Sequence, residues 1–459
     1  MKGSYFFILV SVLAGMLFID VSSFIFTFAV YCAGLLIIRF ISRNDKIDYY
    51  KIFTTLFFTG ALYMFLCYGY MSYNKFSYLF SFDTINYFLP ETERFLKYDS
   101  LMIALSKIWD NFSLFGYFKP GYFTYAVIFG FAGKALGVDL YFVQQVSSLL
   151  IYALSGIFVF RIFLKCGFYC TEASKNTIIV MICSIVFFYS SQIMRDIHIM
   201  LLFLAVIYYM LDSYFRISSV IKIFVLSLIC CTFRIESGLF LFFQVPVYLW
   251  LNLNKSNRKN WVFTLSIIIF FLFILWIIPK IDSIFQVFEK NKDYYIEDIS
   301  QGSGIIGTLQ RIPIVGDVLS IIYNMLQPVP FWSRFSPPAA AKYGVEAYNI
   351  MRFPVAISAT FTFFSLMIFF SSVFSKTVRA RCLKALQRPF KIQLLMCFIF
   401  LYLQAAVVTQ RRLMAYYIIF YVLCFLIWKT LTALQKKTLI SYSVLFFIIL
   451  QLVGFILFK

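Results

Sequence analysis

The sequence predicts an all-α, polytopic transmembrane helical bundle, and three observations lead there. Of 459 residues, 62% are hydrophobic and 13% charged, and the mean hydropathy is +0.87, a balance foreign to a soluble domain. Apolar runs of about 15–22 residues recur along the chain, matching the roughly 20 that a helix needs to cross a bilayer. The runs are continuous rather than alternating. That excludes a membrane β-barrel and leaves helices as the structure that satisfies the backbone in lipid.

Taken in order, the apolar segments expected to span are 5–19, 22–41, 52–71, 141–163, 177–193, 197–215, 219–233, 238–252, 261–279, 354–375, 392–408, 413–428 and 439–458. This is about 13 spans, with 11 to 14 the acceptable range. The first segment, "MKGSYFFILVSVLAGMLFI", has a lysine and an apolar core as a signal peptide does. It lacks a small-x-small cleavage site and runs into the next apolar segment, so it reads as a retained first helix. The stretch 122–138, "YFTYAVIFGFAGKALGV", is short and interrupted by Gly130, Gly133 and Lys134, and is expected to lie in the interface or re-enter.

The net charge of +20 raises the question of nucleic acid, and its placement argues against it. Lys and Arg gather in short connectors: Arg39, Arg43, Lys46 and Lys51, then Arg161, Lys165 and Lys175, then Arg216 and Lys222, then Lys255, Arg258 and Lys259. The most basic connector, 376–391, reads "KTVRARCLKALQRPFK" and holds no acid. If 122–138 does not cross, all of these connectors fall on one side. By the positive-inside rule that side is the cytoplasm, with the N-terminus inside. Residues 1–459 then form one integral membrane domain, and two long polar segments face outward: the first outer (periplasmic) loop at 72–120 and a second at 280–353. Both carry apolar residues at helical spacing between Gly and Pro breaks, as amphipathic surface helices would. Most of the acids lie in these two segments.

Three outer connectors break the topology rule by concentrating arginine. "SQIMRDIHI" carries Arg195, Asp196 and the single histidine, His198; "FRIESGLF" carries Arg234 and Glu236; "VTQRRLMAYY" carries Arg411 and Arg412. Charges beside an apolar slab are costly and mark functional positions by default. The plainer alternative is that Arg195–Asp196 and Arg234–Glu236 are local ion pairs at helix ends and that His198 is only packed. Arg411 and Arg412 have no acidic neighbour in sequence. An arginine-rich wall suits phosphate or pyrophosphate, which the planar guanidinium binds bidentately. Asp83, in "FDTINYFLP", is a carboxylate placed to deprotonate an attacking hydroxyl, with His198 and Asp196 as the other base candidates. No DxD-type metal pair occurs in either outer loop, since Glu297 and Asp298 are adjacent. No metal and no cofactor is expected. The ten cysteines form no CxxC or Cys/His spacing, which argues against a disulfide framework or a metal site.

The acid after an early span, followed by "GYFTYAVIFGFAGKALGVDL", resembles the opening of bacterial lipid-dependent glycosyltransferases of the GT-C architecture. "SSQIMRDIHIMLLFLAVIYYML", "CTFRIESGLFLFFQVPVYLW", "QPVPFW" and "TQRRLMAYY" resemble stretches of membrane proteins encoded with O-antigen and capsule genes. The likeness covers 72–255 and 325–420 in patches. It implies a repeat-unit polymerase of the Wzy type, acting on undecaprenyl-linked glycans at the outer face of the bacterial cytoplasmic (inner) membrane. The partners so implied are membrane lipids and a chain-length regulator protein. Arg195, Arg234, Arg411 and Arg412, with Glu236, would bind the lipid phosphate, and Asp83, His198 or Asp196 would be catalytic. The alternative it implies is a single-sugar transferase using a polyprenyl-phosphate donor; a flippase or transporter is a third reading. Two departures stand out. Arg334 and Gly344 miss the R-x10-G spacing by one residue, and Asp83 follows the third span where GT-C enzymes carry their carboxylate after the first.

Overall fold

The computed structural model describes residues 2–41, 46–74, 84–110, 118–212, 216–253, 350–403 and 413–457, with short pieces between 319 and 331. Every element among the described residues is helical. Five helices are long and apolar enough to cross a membrane: Val21–Ile41, Asp48–Tyr73, Leu140–Lys165, Phe353–Phe374 and Ala433–Ile456.

The N-terminal part contains α1 (Lys2–Phe18), α2 (Val21–Ile41) and α3 (Lys46–Asn74), with α1 packed along α3. After a π-helical turn at Thr84–Phe88 come two short helices, α4 (Leu89–Leu96) and α5 (Leu101–Asp110). Helix α4 turns Leu89, Thr92 and Phe95 inward and leaves Glu93 and Arg94 exposed, the two-faced pattern expected of the 72–120 segment. Helix α6 (Pro120–Ala135) lies against both, burying Tyr122, Phe123, Ala126 and Val127.

Helix α7 (Leu140–Lys165) is the axis of the molecule. It buries almost its whole length and touches α2, α3, α6, α8 (Cys170–Cys183) and α10 (Asp196–Met210). A helix apolar on every side is one surrounded by other helices. Gly137 and Gly167, at φ 69° and 83°, end α6 and α7 in the left-handed conformation that a side chain resists. Asp139 then opens α7, its carboxylate accepting from the Tyr141 and Phe142 amides.

Two predicted spans are broken. The 177–193 segment divides at Ser184, whose extended backbone separates α8 from α9 (Ile185–Tyr189). Beyond Arg216, α11 (Ile217–Phe233) and α12 (Ile235–Phe242) form a helical hairpin hinged on Arg234, and α13 (Gln244–Leu253) follows. Gly238 makes the hairpin possible: a Cβ there would lie 2.5 Å from the Cys231 amide nitrogen and 2.7 Å from its Cα. The C-terminal helices are α14 (Phe353–Phe374), α15 (Lys376–Ala385), α16 (Arg388–Leu403), α17 (Met414–Thr430) and α18 (Ala433–Leu457).

Contacts among the connectors give the bundle a basic end. The Arg161 guanidinium donates to the Tyr49 hydroxyl (3.1 Å) and the Ile41 carbonyl (3.2 Å), joining α7 to the α2–α3 connector. Lys165 pairs with Asp212 at 2.6 Å, and Ser219 donates to the same carboxylate. Lys429 donates to the Gly167 carbonyl, and Arg381 donates to Thr430 and Gln435 at 2.9 Å each. The start of α7 lies at the other end, where Gln145 reaches the turn before α10. The connector at 254–260 and the 261–279 segment lie outside the described residues.

Candidate functional site

At the end opposite the basic connectors, two of the arginine-bearing turns meet. The 190–195 turn is held from two directions: Gln145 Nε2 donates to the Ser191 carbonyl (2.9 Å), and Thr84 Oγ1 donates to the Ile193 carbonyl (3.1 Å). Both bonds satisfy backbone acceptors that a buried turn would otherwise strand. Helix α10 then begins at Asp196, an acid in the first turn where the helix dipole favours it.

The ion pair is crossed rather than local, joining the two connectors. Arg234 Nη2 meets Asp196 Oδ1 at 2.5 Å, with the two side chains only 10% and 5% exposed. Arg195 Nη1 donates to the Phe233 carbonyl at 3.3 Å, capping the C-terminal end of α11 with positive charge. Sequence neighbours therefore serve opposite connectors: Asp196 holds the α11–α12 hinge, and Arg195 completes the hydrogen bonding of the helix that ends there. Glu236, half-buried in the first turn of α12, does not carry the ion pair that Arg234 makes.

A fifth charge joins them. Lys119 stands just before Pro120 at the start of α6, and Gly121 abuts Thr232 and Phe233. Its ammonium lies within the fields of Arg195, Glu236 and Arg234. Burial holds its pKa below the usual lysine value and the Arg195 charge pushes the same way, while Glu236 opposes them. Tyr87, on the π-helical turn, also lies within range of Arg195, and burial raises its pKa. Three helix beginnings, of α6, α10 and α12, thus converge on a cluster holding Lys119, Arg195 and Arg234 against Asp196 and Glu236. Convergent helix starts and an excess of cations make a setting for an anion.

His198 sits one turn further into α10 and is buried. Its ring is stacked on Phe233 (5.3 Å, 20°) and set edge-on to Tyr122 (5.7 Å) and Tyr125 (4.5 Å). Those tyrosines are fixed by Gln144 and by the Ser147 carbonyl. Neither ring nitrogen of His198 makes a well-formed hydrogen bond among the described residues, and the Met194 backbone is a polar group that faces the ring. Asp83, Arg411 and Arg412 lie outside the described residues. Just after the two arginines, Leu413 and Met414 are buried, and Tyr416 packs on Phe203 of α10 and Phe240 of α12.

Lys119 was legible by the criterion that selects Arg195 and Arg234, a cation in an outer connector where the topology rule disfavours one. "FKPGYF" reads first as a turn, and only the packing of α6 on α11 brings its lysine to the others. Arg352, over the Phe188 ring at 5.2 Å before α14, meets the same criterion. Gln145 and Thr84 had no sequence signal, because their partners are backbone carbonyls far along the chain. Among the described residues no three His, Cys, Asp or Glu side chains gather as a metal group.

Fold and site together define an all-helical chain with membrane-length apolar helices and a buried, crossed charge cluster at one end. Comparison with known protein families, curated proteins and solved structures finds no match for it.

Proposed function

We propose that this chain is a glycosyltransferase that polymerises undecaprenyl-pyrophosphate-linked oligosaccharide repeat units at the outer face of a bacterial inner membrane. About 13 spans would place the N-terminus and the basic end in the cytoplasm. The observation that carries the reading is the crossed cluster: Arg195, Arg234 and Lys119 gathered where three helices begin, at the end away from the basic connectors. A lipid pyrophosphate lies at the depth of helix ends, and cations poised there stabilise negative charge as it develops on a leaving group.

In this reaction the acceptor sugar's hydroxyl oxygen attacks the anomeric carbon of the donor chain. The bond from that carbon to the pyrophosphate oxygen breaks, and the electron pair leaves with undecaprenyl pyrophosphate. Arg195 and Lys119, with Arg411 and Arg412, receive that anion, and Arg234 is oriented by Asp196. The hydroxyl proton passes to a carboxylate. Asp83 is favoured for this role as a carboxylate that the sequence places in the first outer loop. Asp196 is already committed to Arg234, and His198 is walled in by aromatic rings. No cofactor is invoked. A chain-length regulator protein is the expected partner in the membrane.

The test is deletion of the gene, complementation with Arg195→Ala or Asp83→Asn, and analysis of surface and lipid-linked glycans. A polymerase defect leaves single repeat units at the surface. Repeats short of one sugar would instead identify a single-sugar transferase using a polyprenyl-phosphate donor, and units trapped inside would identify a flippase. Wild-type polymer lengths in the deletion strain would sink all three.

A further inference from the structure

The basic end carries a second feature, unrelated to the crossed cluster. Between α14, α17 and α18 lies an apolar cleft of about 200 Å³, lined by Phe364 and Ile368, by Phe425 and Trp428, and by Leu439 and Ile440. Its size is that of protein cavities that hold a benzene-sized apolar group without water, so it takes a length of hydrocarbon chain rather than a whole lipid. Its third wall, α18, is the most outward-facing of the five membrane-length helices, with only 17% of its apolar window buried.

Polar chemistry stands at one mouth of this cleft. On α18, Lys436, Leu439, Ile440 and Ser443 follow the i, i+3, i+4, i+7 spacing and share one face. Lys436 sits with its ammonium 5.3 Å from the centre of the Trp428 ring that lines the cleft. Arg381 of α15 is bonded beside it to Thr430 and Gln435, and Lys437 is exposed next along. No Asp or Glu follows Glu346 anywhere in the sequence. Glu172 of α8 is paired with Lys429, the residue after Trp428. A greasy slot with an excess of cations at its rim matches an apolar chain with an anionic head in charge and polarity.

We propose that this cleft binds one acyl chain of a phospholipid with an anionic headgroup, its phosphate held at Lys436 and Arg381. The acyl-chain site rests on the chain being membrane-embedded, and only its preference for a phospholipid over a polyprenyl pyrophosphate rests on the proposed function. A polyprenyl pyrophosphate substrate is the poorer occupant, because its phosphates belong at the opposite end of the bundle with Arg195 and Arg234.

The test uses the full chain in nanodiscs of phosphatidylcholine doped with chain-brominated phosphatidylglycerol or chain-brominated phosphatidylcholine. Quenching of Trp428 is read as the difference between wild type and Trp428→Phe. Brominated phosphatidylglycerol is expected to quench it at several-fold lower mole fraction than brominated phosphatidylcholine. Lys436→Gln, a half-buried surface position that leaves the cleft intact, should reduce that preference by roughly fivefold, the worth of one basic residue at an anionic lipid surface. Equal quenching by the two lipids, or a preference unchanged by Lys436→Gln, would overturn the site. Displacement of the brominated phosphatidylglycerol by an equal mole fraction of polyprenyl phosphate would overturn its assignment to a phospholipid. Failure of the chain to enter nanodiscs would sink this site and the membrane reading together.

Discussion

Breaking the Arg234–Asp196 pair from one side at a time should have unequal consequences. The pair is 2.5 Å long, and its side chains are 10% and 5% exposed. It therefore belongs with buried pairs, whose loss of one partner costs about 3–5 kcal/mol, and not with exposed ones worth under about 1. Arg234→Ala strands Asp196, but Arg195 is the next residue and the start of α10 offers a favourable dipole, so the cost should fall near about 3 kcal/mol. Asp196→Ala strands Arg234 among Arg195 and Lys119 with Glu236 the remaining acid, and should cost near about 5 kcal/mol. The double variant Arg234→Met/Asp196→Leu strands neither partner of the pair and should return to within about 1 kcal/mol of wild type or better. The assay is reversible unfolding of the purified chain in mixed micelles, followed by tryptophan fluorescence and circular dichroism. Single-variant effects that add in the double variant to within about 0.5 kcal/mol would refute the buried-pair reasoning. Under the proposed function the double variant should be stable and yet fail to polymerise, which separates folding from activity.

Three further variants have outcomes that follow from the same geometry. Lys119→Met should stabilise the chain at neutral pH, because a charged ammonium is disfavoured by burial and by Arg195; as pH rises through the lowered folded pKa toward the unfolded value, the wild-type lysine sheds its proton and the difference should shrink, so a difference that grows with pH in a stability titration would contradict it. The same variant should lose much of the thermal stabilisation that added inorganic pyrophosphate gives the wild type. Gly238→Ala should cost about 1–3 kcal/mol, because its Cβ meets Cys231 backbone that cannot yield without opening the α11–α12 hairpin; unchanged unfolding would place the hairpin wrongly. Gln145→Leu removes the donor on the Ser191 carbonyl and should cost about 1–3 kcal/mol, with faster hydrogen exchange at 190–195 as the local reading.

Much of the helical framework was legible. The apolar runs at 22–41, 52–71 and 141–163 lie within three of the five membrane-length helices, and those at 354–375 and 439–458 overlap the other two almost throughout, because continuous hydrophobicity over such lengths leaves the backbone no other way to bond itself. The segments 177–193 and 238–252 looked equally continuous. They break at Ser184 and between α12 and α13, and hydropathy alone marks neither point. Arg195, Asp196, Arg234 and Glu236 were visible as charges out of place, and the local pairing of each with its sequence neighbour was the simplest expectation. The structure pairs Arg234 with Asp196, because a hinge between two helices turns its carbonyl and guanidinium toward the turn packed against it, not along its own chain.

What the sequence determined by itself is therefore what each residue carries with it: apolar length, the side on which cations gather, and which charges sit where charge is costly. What only the tertiary structure decided is which of those charges meet. Lys119, Arg195 and Arg234 lie more than a hundred positions apart from first to last, and the packing of α6, α10 and α11 makes them one electrostatic unit. Periodicity and hydropathy act over a few turns of chain, whereas a buried charge finds its partner wherever packing delivers one.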